Sequence, residues 1–94
     1  MTHSAPRLLP WTTPGGQPAY VVGDGTGYVS RIADDMERVQ LAMAGELLCH
    51  AADLLADGSS TSAQLRYLLA RMCESLTAVH RIAESRGARC GEGA

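Results

Sequence analysis

The spacing of apolar residues over 30–57 and 61–86 constrains this chain most. In both stretches they recur at intervals of three and four, the period of an amphipathic helix. The two patterns differ in width. Wound at about 100° per residue, residues 61–86 carry one stripe of Leu65, Leu68, Leu69, Met72, Leu76, Val79, Ile82 and Ala83. Residues 30–57 carry two adjacent rows. One is Ile32, Met36, Val39, Met43, Leu47, Ala51 and Leu54; the other is Leu41, Ala44, Leu48, Ala52 and Leu55. A narrow stripe is covered by one neighbour and a broad face needs two. The first row is therefore expected against the second helix, and the row from Leu41 to Leu55 against something else.

Local signals set the expected boundaries. Ser30 is a suitable N-cap for the first helix, with Asp34 and Asp35 early enough to meet the helix dipole. Gly45 lies beside the second apolar row, where it either admits a close backbone or is incidental. Asp57-Gly58-Ser59-Ser60 is a break, and Thr61-Ser62-Ala63-Gln64 matches a capping box at the start of the second helix. Gly87 after Arg86 is a natural terminator, leaving 88–94 as a loose tail. Similar lengths and a short connection predict an antiparallel helical hairpin. Charge agrees, with six acids and two arginines in 30–57 against four arginines and two acids in 61–86.

Residues 1–29 form an N-terminal arm, loose over 1–7. Leu8-Leu9-Pro10-Trp11 and Ala19-Tyr20-Val21-Val22 flank Pro14-Gly15-Gly16, which fits two short strands around a turn. Pro10 and Pro18 lack ladder donors and limit such a hairpin. A lone two-stranded hairpin is marginal in water, so Leu8, Trp11, Tyr20 and Val22 are expected to lean on the helices.

Composition narrows the function classes. Ninety-four residues with 46% hydrophobic content and net charge −2 make one small globular domain. A near-neutral balance argues against a dedicated nucleic-acid binder. All eight basic residues are arginine, with no Lys, Asn or Phe, a bias of GC-rich coding and not a sign of nucleic-acid recognition. Neither a membrane span nor a signal peptide is evident, so the expected location is cytoplasmic. Cys49, Cys73 and Cys90 are then expected as reduced thiols.

Candidate chemistry is thin. Gly23-Asp24-Gly25-Thr26-Gly27 precedes a helix, but the third glycine of a dinucleotide loop is replaced by Tyr28. A Walker loop would require lysine, and an EF-hand more acids than Asp24 alone. A flexible turn is the expectation. Cys49, His50, Cys73 and His80 are of the right types for zinc. Their spacing is poor, since adjacent Cys49 and His50 diverge by about 100° and Cys73 and His80 stand about two turns apart. Asp34-Asp35 and Glu46 with Asp53 read as solvated faces, and the methionines as core. No nucleophile–base pair emerges, and no cofactor is expected. Trp11 is the single large aromatic anchor and a candidate interface residue.

The run RLLPWTTPGGQPAYVV with GYVSRIADDMERVQLAMAGELL, continued by SSTSAQLRYLLARM and AESRGAR, resembles small uncharacterised proteins of high-GC actinobacteria. Their genes often lie near helix-turn-helix regulators. The resemblance covers most of the chain and implies a regulatory accessory role, with a transcriptional regulator as one possible protein partner. It transfers no site residue.

The expected fold is mainly α: an N-terminal β-hairpin or extended arm, then a long antiparallel helical hairpin, paired by two-fold symmetry into a four-helix bundle. The expected function is a non-enzymatic protein-interaction module acting as a homodimer, with Leu41, Ala44, Leu48, Ala52, Leu55 and Trp11 at the interface. The alternative is a small ligand or metal sensor using the Cys and His residues between helices.

Overall fold

The computed structural model describes residues 6–23 and 26–93, with side chains as far as residue 89. Expectations for residues 1–5, Asp24, Gly25, the Cys90 thiol and Ala94 lie outside the described residues. The chain runs β1 (Arg7–Thr12), β2 (Pro18–Val21), α1 (Tyr28–Ala56) and α2 (Ser62–Gly93). It is mainly helical, with an antiparallel hairpin of strands leading into two packed helices.

The β-hairpin closes through Thr13–Gln17. The Gly16 amide donates to the Thr13 carbonyl at 2.8 Å and the Thr13 amide to the Gln17 carbonyl at 2.8 Å. Pro14 presets the turn, and Gly16 takes φ +81°, a left-handed conformation that glycine adopts without strain. Leu8 pairs with Tyr20 and Thr12 with Pro18, so four steps of β1 oppose two of β2. That irregularity bows β1 and breaks its alternation: Arg7, Leu9 and Pro10 are buried, while Leu8 and Trp11 are half-buried. The arm's anchor is therefore Leu9. Tyr20 and Val22, expected against the helices, are exposed.

Helix α1 begins two residues before Ser30, with Gly27 as its N-cap. Ser30 instead lies buried inside the helix, and Asp34 and Asp35 fall beyond the first turn. The Thr61 capping box forms as the sequence implies. Gln64 N donates to Thr61 Oγ1 at 3.1 Å, and Thr61 N to Gln64 Oε1 at 2.8 Å. At the other end α2 does not stop at Gly87 but continues to Gly93. A glycine costs a helix interior only about 1 kcal/mol, too little to end a helix unless a left-handed turn follows.

The seam between the helices is rotated from the expected one. On α1 the least exposed positions are Ser30, Ala33, Glu37, Gln40, Ala44, Leu47, Ala51 and Leu54, a strict alternation of three and four. Leu47, Ala51 and Leu54 of the first predicted row lie in this seam, as does Ala44 of the second, and the rest of the two rows flanks it. Ile32, Met36, Val39 and Met43, expected against α2, are exposed. On α2 the inward positions are Leu68, Met72, Ser75, Val79, Ile82 and Ser85.

The arm partners several of the polar seam groups, while Gln40 Oε1 is buried without a hydrogen bond. Glu37 is only 2% exposed, with Arg7 Nη2 3.3 Å from Oε2 and Arg86 Nη2 3.5 Å from Oε1. Arg7 also donates to the Ser30 carbonyl (3.1 Å) and to Asp34 Oδ1 (2.7 Å). Gln40 Nε2 donates to the Pro10 carbonyl at 3.2 Å, and Ser85 Oγ to the Leu8 carbonyl at 2.9 Å. One buried carboxylate thus ties β1, α1 and α2 together. Removing a single partner from such a cluster leaves an uncompensated charge. Arg7, placed in the loose segment by its sequence position, is among the most constrained residues.

Candidate functional site

At this head end, where the arm packs, Leu9, Ala33 and Ile82 are buried; Leu68 is buried too, but near the connection between the helices. Farther along the hairpin the helices meet through Ala44, Leu47, Ala51 and Leu54 of α1 and Leu68, Met72 and Val79 of α2, and other large apolar side chains are left outside. Leu41, Leu48 and Leu55 are exposed on one flank of α1, Leu48 by 64% and Leu55 by 84%. Ala44 at the same flank is half-buried and Ala52 exposed. Leu41, Leu48, Ala52 and Leu55 of this row are uncovered among the described residues, and Ala44 joins the seam with α2.

What the sequence reading missed lies on α2. Its stripe was expected to be satisfied by α1, yet Leu65, Leu69 and Leu76 are exposed, the latter two by 64% and 68%. Between the rows runs an open groove of about 330 Å³, lined by Ala44, Leu47, Leu48, Leu69, Met72 and Leu76 together with Cys73, Ser75 and Val79. Two helices therefore build one continuous apolar face. The available signal was the width of the α2 stripe: Leu65, Leu69 and Leu76 lie about 90° from Leu68, Ser75 and Ile82, more than one neighbouring helix covers. On the opposite side of the helix pair a smaller recess of about 150 Å³ has Gln40, Arg71 and Glu74 in its wall.

The remaining predicted residues are scattered. Trp11 sits in β1 at the head, outside the lining of the groove. Cys49 is exposed on the side of α1 away from the seam, and Cys73 is exposed at the groove. His50 is exposed, and His80 faces Glu84 on its own helix, 3.8 Å away. Cys49, His50, Cys73 and His80 are not brought together. Among the described residues no group of three or more His, Cys, Asp or Glu is placed to hold a metal ion. A methyl group added at Gly45 would meet no neighbouring element within 4 Å, so nothing in the same chain exploits the small size of this glycine.

The acidity of Asp57 is displaced from its ordinary value. The Ser59 hydroxyl and amide donate to Asp57 Oδ1 at 2.6 and 3.0 Å, and together they hold its carboxyl below the usual 3.8. This is turn chemistry in the connection between helices. It supplies no reactive group.

The molecule is elongated, 60 × 31 × 20 Å, with a radius of gyration of 16.7 Å. A compact chain of 94 residues would have roughly 12 Å. Its accessible surface is 6848 Å², where a compact monomer of this mass exposes about 5,200 Å². Comparison with protein-family models, with curated proteins and with solved structures returned no match.

Proposed function

We propose that this chain is a non-enzymatic protein-interaction module that works as a homodimer, its helical hairpins stacked face to face as a four-helix bundle. The observation that carries this reading is the shared apolar face, with Leu48 and Leu55 of α1 beside Leu69 and Leu76 of α2, all more than half exposed. The surplus surface has a fitting size. Roughly 1,600 Å² per chain beyond a compact monomer is about 3,200 Å² for two, within the range of obligate homodimer interfaces. A regulatory accessory role belongs to the same proposal, with the exposed remainder of the dimer available to a protein partner.

A membrane offers another way to cover apolar surface, because α1 is long and apolar enough by length and composition to cross one. Glu46 and His50 fall near the middle of its apolar stretch. A charged side chain at mid-span costs at least about 2.5–3.5 kcal/mol. A second apolar hairpin face covers the leucines without moving Glu46 out of water, so protein association is the better reading.

Size-exclusion chromatography with light scattering tests the proposal. The expected mass is that of two chains at tens of micromolar, and a strict monomer at that concentration would overturn it.

A further inference from the structure

Resting on the dimer proposed above, we propose that its protein partner docks on the back of α1 through an amphipathic segment, apolar at one end and basic at the other. Two exposed apolar rows run along this helix. Ile32 and Leu41 are nine residues apart, as are Val39 and Leu48, which sets each pair about 180° apart around the helix. A second copy seated on the groove covers Leu41 and Leu48 and leaves Ile32 and Val39 in water, however the two copies are oriented. Met36 and Met43 lie beside this second row, and Val39 and Met43 are more than half exposed. Steps of seven residues continue the row from Val39 into Glu46 and Asp53, both exposed. The back of α1 is thus apolar toward the head and acidic toward the connection.

Charge says what kind of segment fits there. Asp34, Asp35 and Glu37 are paired with arginines of the same chain. Among the described residues no cation pairs with Glu46 or Asp53. The last turn of α1 carries no basic residue, so the negative end of the helix dipole adds to the same field. Arg71 of α2, beside Met43 in the smaller recess, is already paired with Glu74. Arginine or lysine on a partner would therefore meet two free carboxylates about 10 Å apart along the helix. Apolar side chains next to those cations would meet the thioethers of Met36 and Met43, which adapt to irregular surfaces. A helix with leucines along one half of a face and arginines along the other half satisfies both requirements.

The experiment uses the full chain and two labelled synthetic helices of about 20 residues. One carries leucines along half of a face and arginines along the other half; the second has glutamates in place of the arginines. Fluorescence anisotropy should show the arginine peptide binding, and the glutamate peptide binding at least about tenfold more weakly. Val39→Glu with Met43→Glu should weaken the arginine peptide by about tenfold or more. Leu48→Glu with Leu69→Glu, which alters the groove, should leave its binding unchanged. Glu46→Arg with Asp53→Arg, a change confined to exposed side chains, should reverse the preference between the two peptides. Equal binding of both peptides to the parent chain would overturn the site, as would a loss caused by the groove variant and not by the row variant. Light scattering on the same samples keeps the two readings apart. A one-chain mass for the parent overturns the dimer, while a reversed peptide preference still supports the site. A mass that falls from two chains to one in Val39→Glu with Met43→Glu would seat the second copy on this row and overturn the docking of a partner there.

Discussion

The head and the distal half of this molecule are built from the same two helices and solve opposite problems. At the head, α1 turns Ser30, Glu37 and Gln40 inward, which would be costly in an apolar seam. β1 supplies what they lack: the Arg7 guanidinium for Glu37 and for the Ser30 carbonyl, and the Pro10 carbonyl for Gln40. Among the described residues no third element covers the distal half. Its seam is made of Ala44, Leu47, Ala51 and Leu54 against Leu68 and Met72, while Leu48, Leu55, Leu69 and Leu76 remain outside. The difference teaches that polar residues can mark the better-covered end of a helix, and leucines the end still waiting for a partner.

The largest effect is expected at the head. Arg7→Ala should cost about 3–5 kcal/mol, because Glu37 would stay buried with only Arg86 nearby. Urea denaturation followed by circular dichroism measures it. A loss below about 1 kcal/mol, the scale of an exposed pair, would break the contrast by making the head cluster no stronger than a surface salt bridge.

The distal half should answer differently. Leu48→Glu paired with Leu69→Glu puts charges at the centre of the open face, where both side chains are already mostly exposed in the single chain. Helix content should persist while the mass by light scattering falls to one chain. An unchanged two-chain mass would place the interface elsewhere, and unfolding of the isolated chain would show the face to be internal structure.

Smaller effects sharpen the comparison at the connection, far from the head. Thr61→Ala removes half of a reciprocal cap and is expected to lower stability by about 1 kcal/mol. Thermal melts of the variant and the parent, taken at one protein concentration, read the difference. Least of all is the Asp57 contribution. Its carboxyl is held below 3.8 when folded, so the charged form favours the folded state. That stabilisation is complete above the unfolded value and is lost as pH falls through the folded one. Acid melts below about pH 4 should therefore show a slightly smaller loss for Asp57→Asn than for the parent. Equal losses would mean that the Ser59 contacts do not persist in solution.

Much of this fold is legible in the residues. The Thr61–Gln64 box and the Asp57–Ser60 break locate the connection, and Pro14-Gly15-Gly16 locates the β-turn, because capping and turn chemistry act within a few residues. The uncovered row of Leu41, Leu48 and Leu55 is legible too, since a broad apolar face exceeds what one helix covers. Helix ends are less so: α1 starts at Tyr28 and α2 runs through Gly87, both within what weak local preferences permit. The true seam escaped because its head half is spelled with Ser30, Glu37 and Gln40. Their suitability depends on Arg7 and Pro10, about 23–30 residues away in the chain.

By itself the sequence determined the elements: one turn, one capped connection, two long amphipathic helices, and an apolar surplus. Periodicity and local hydrogen bonding are properties of neighbouring residues, so they can be read from the chain. Only the tertiary structure decided which row became the seam and that Leu65, Leu69 and Leu76 of α2 join the surplus on α1. The rotation of one helix against another is set by pairs distant in sequence, here by a buried glutamate seeking two arginines. That choice turned an excess on one helix into a face shared by two.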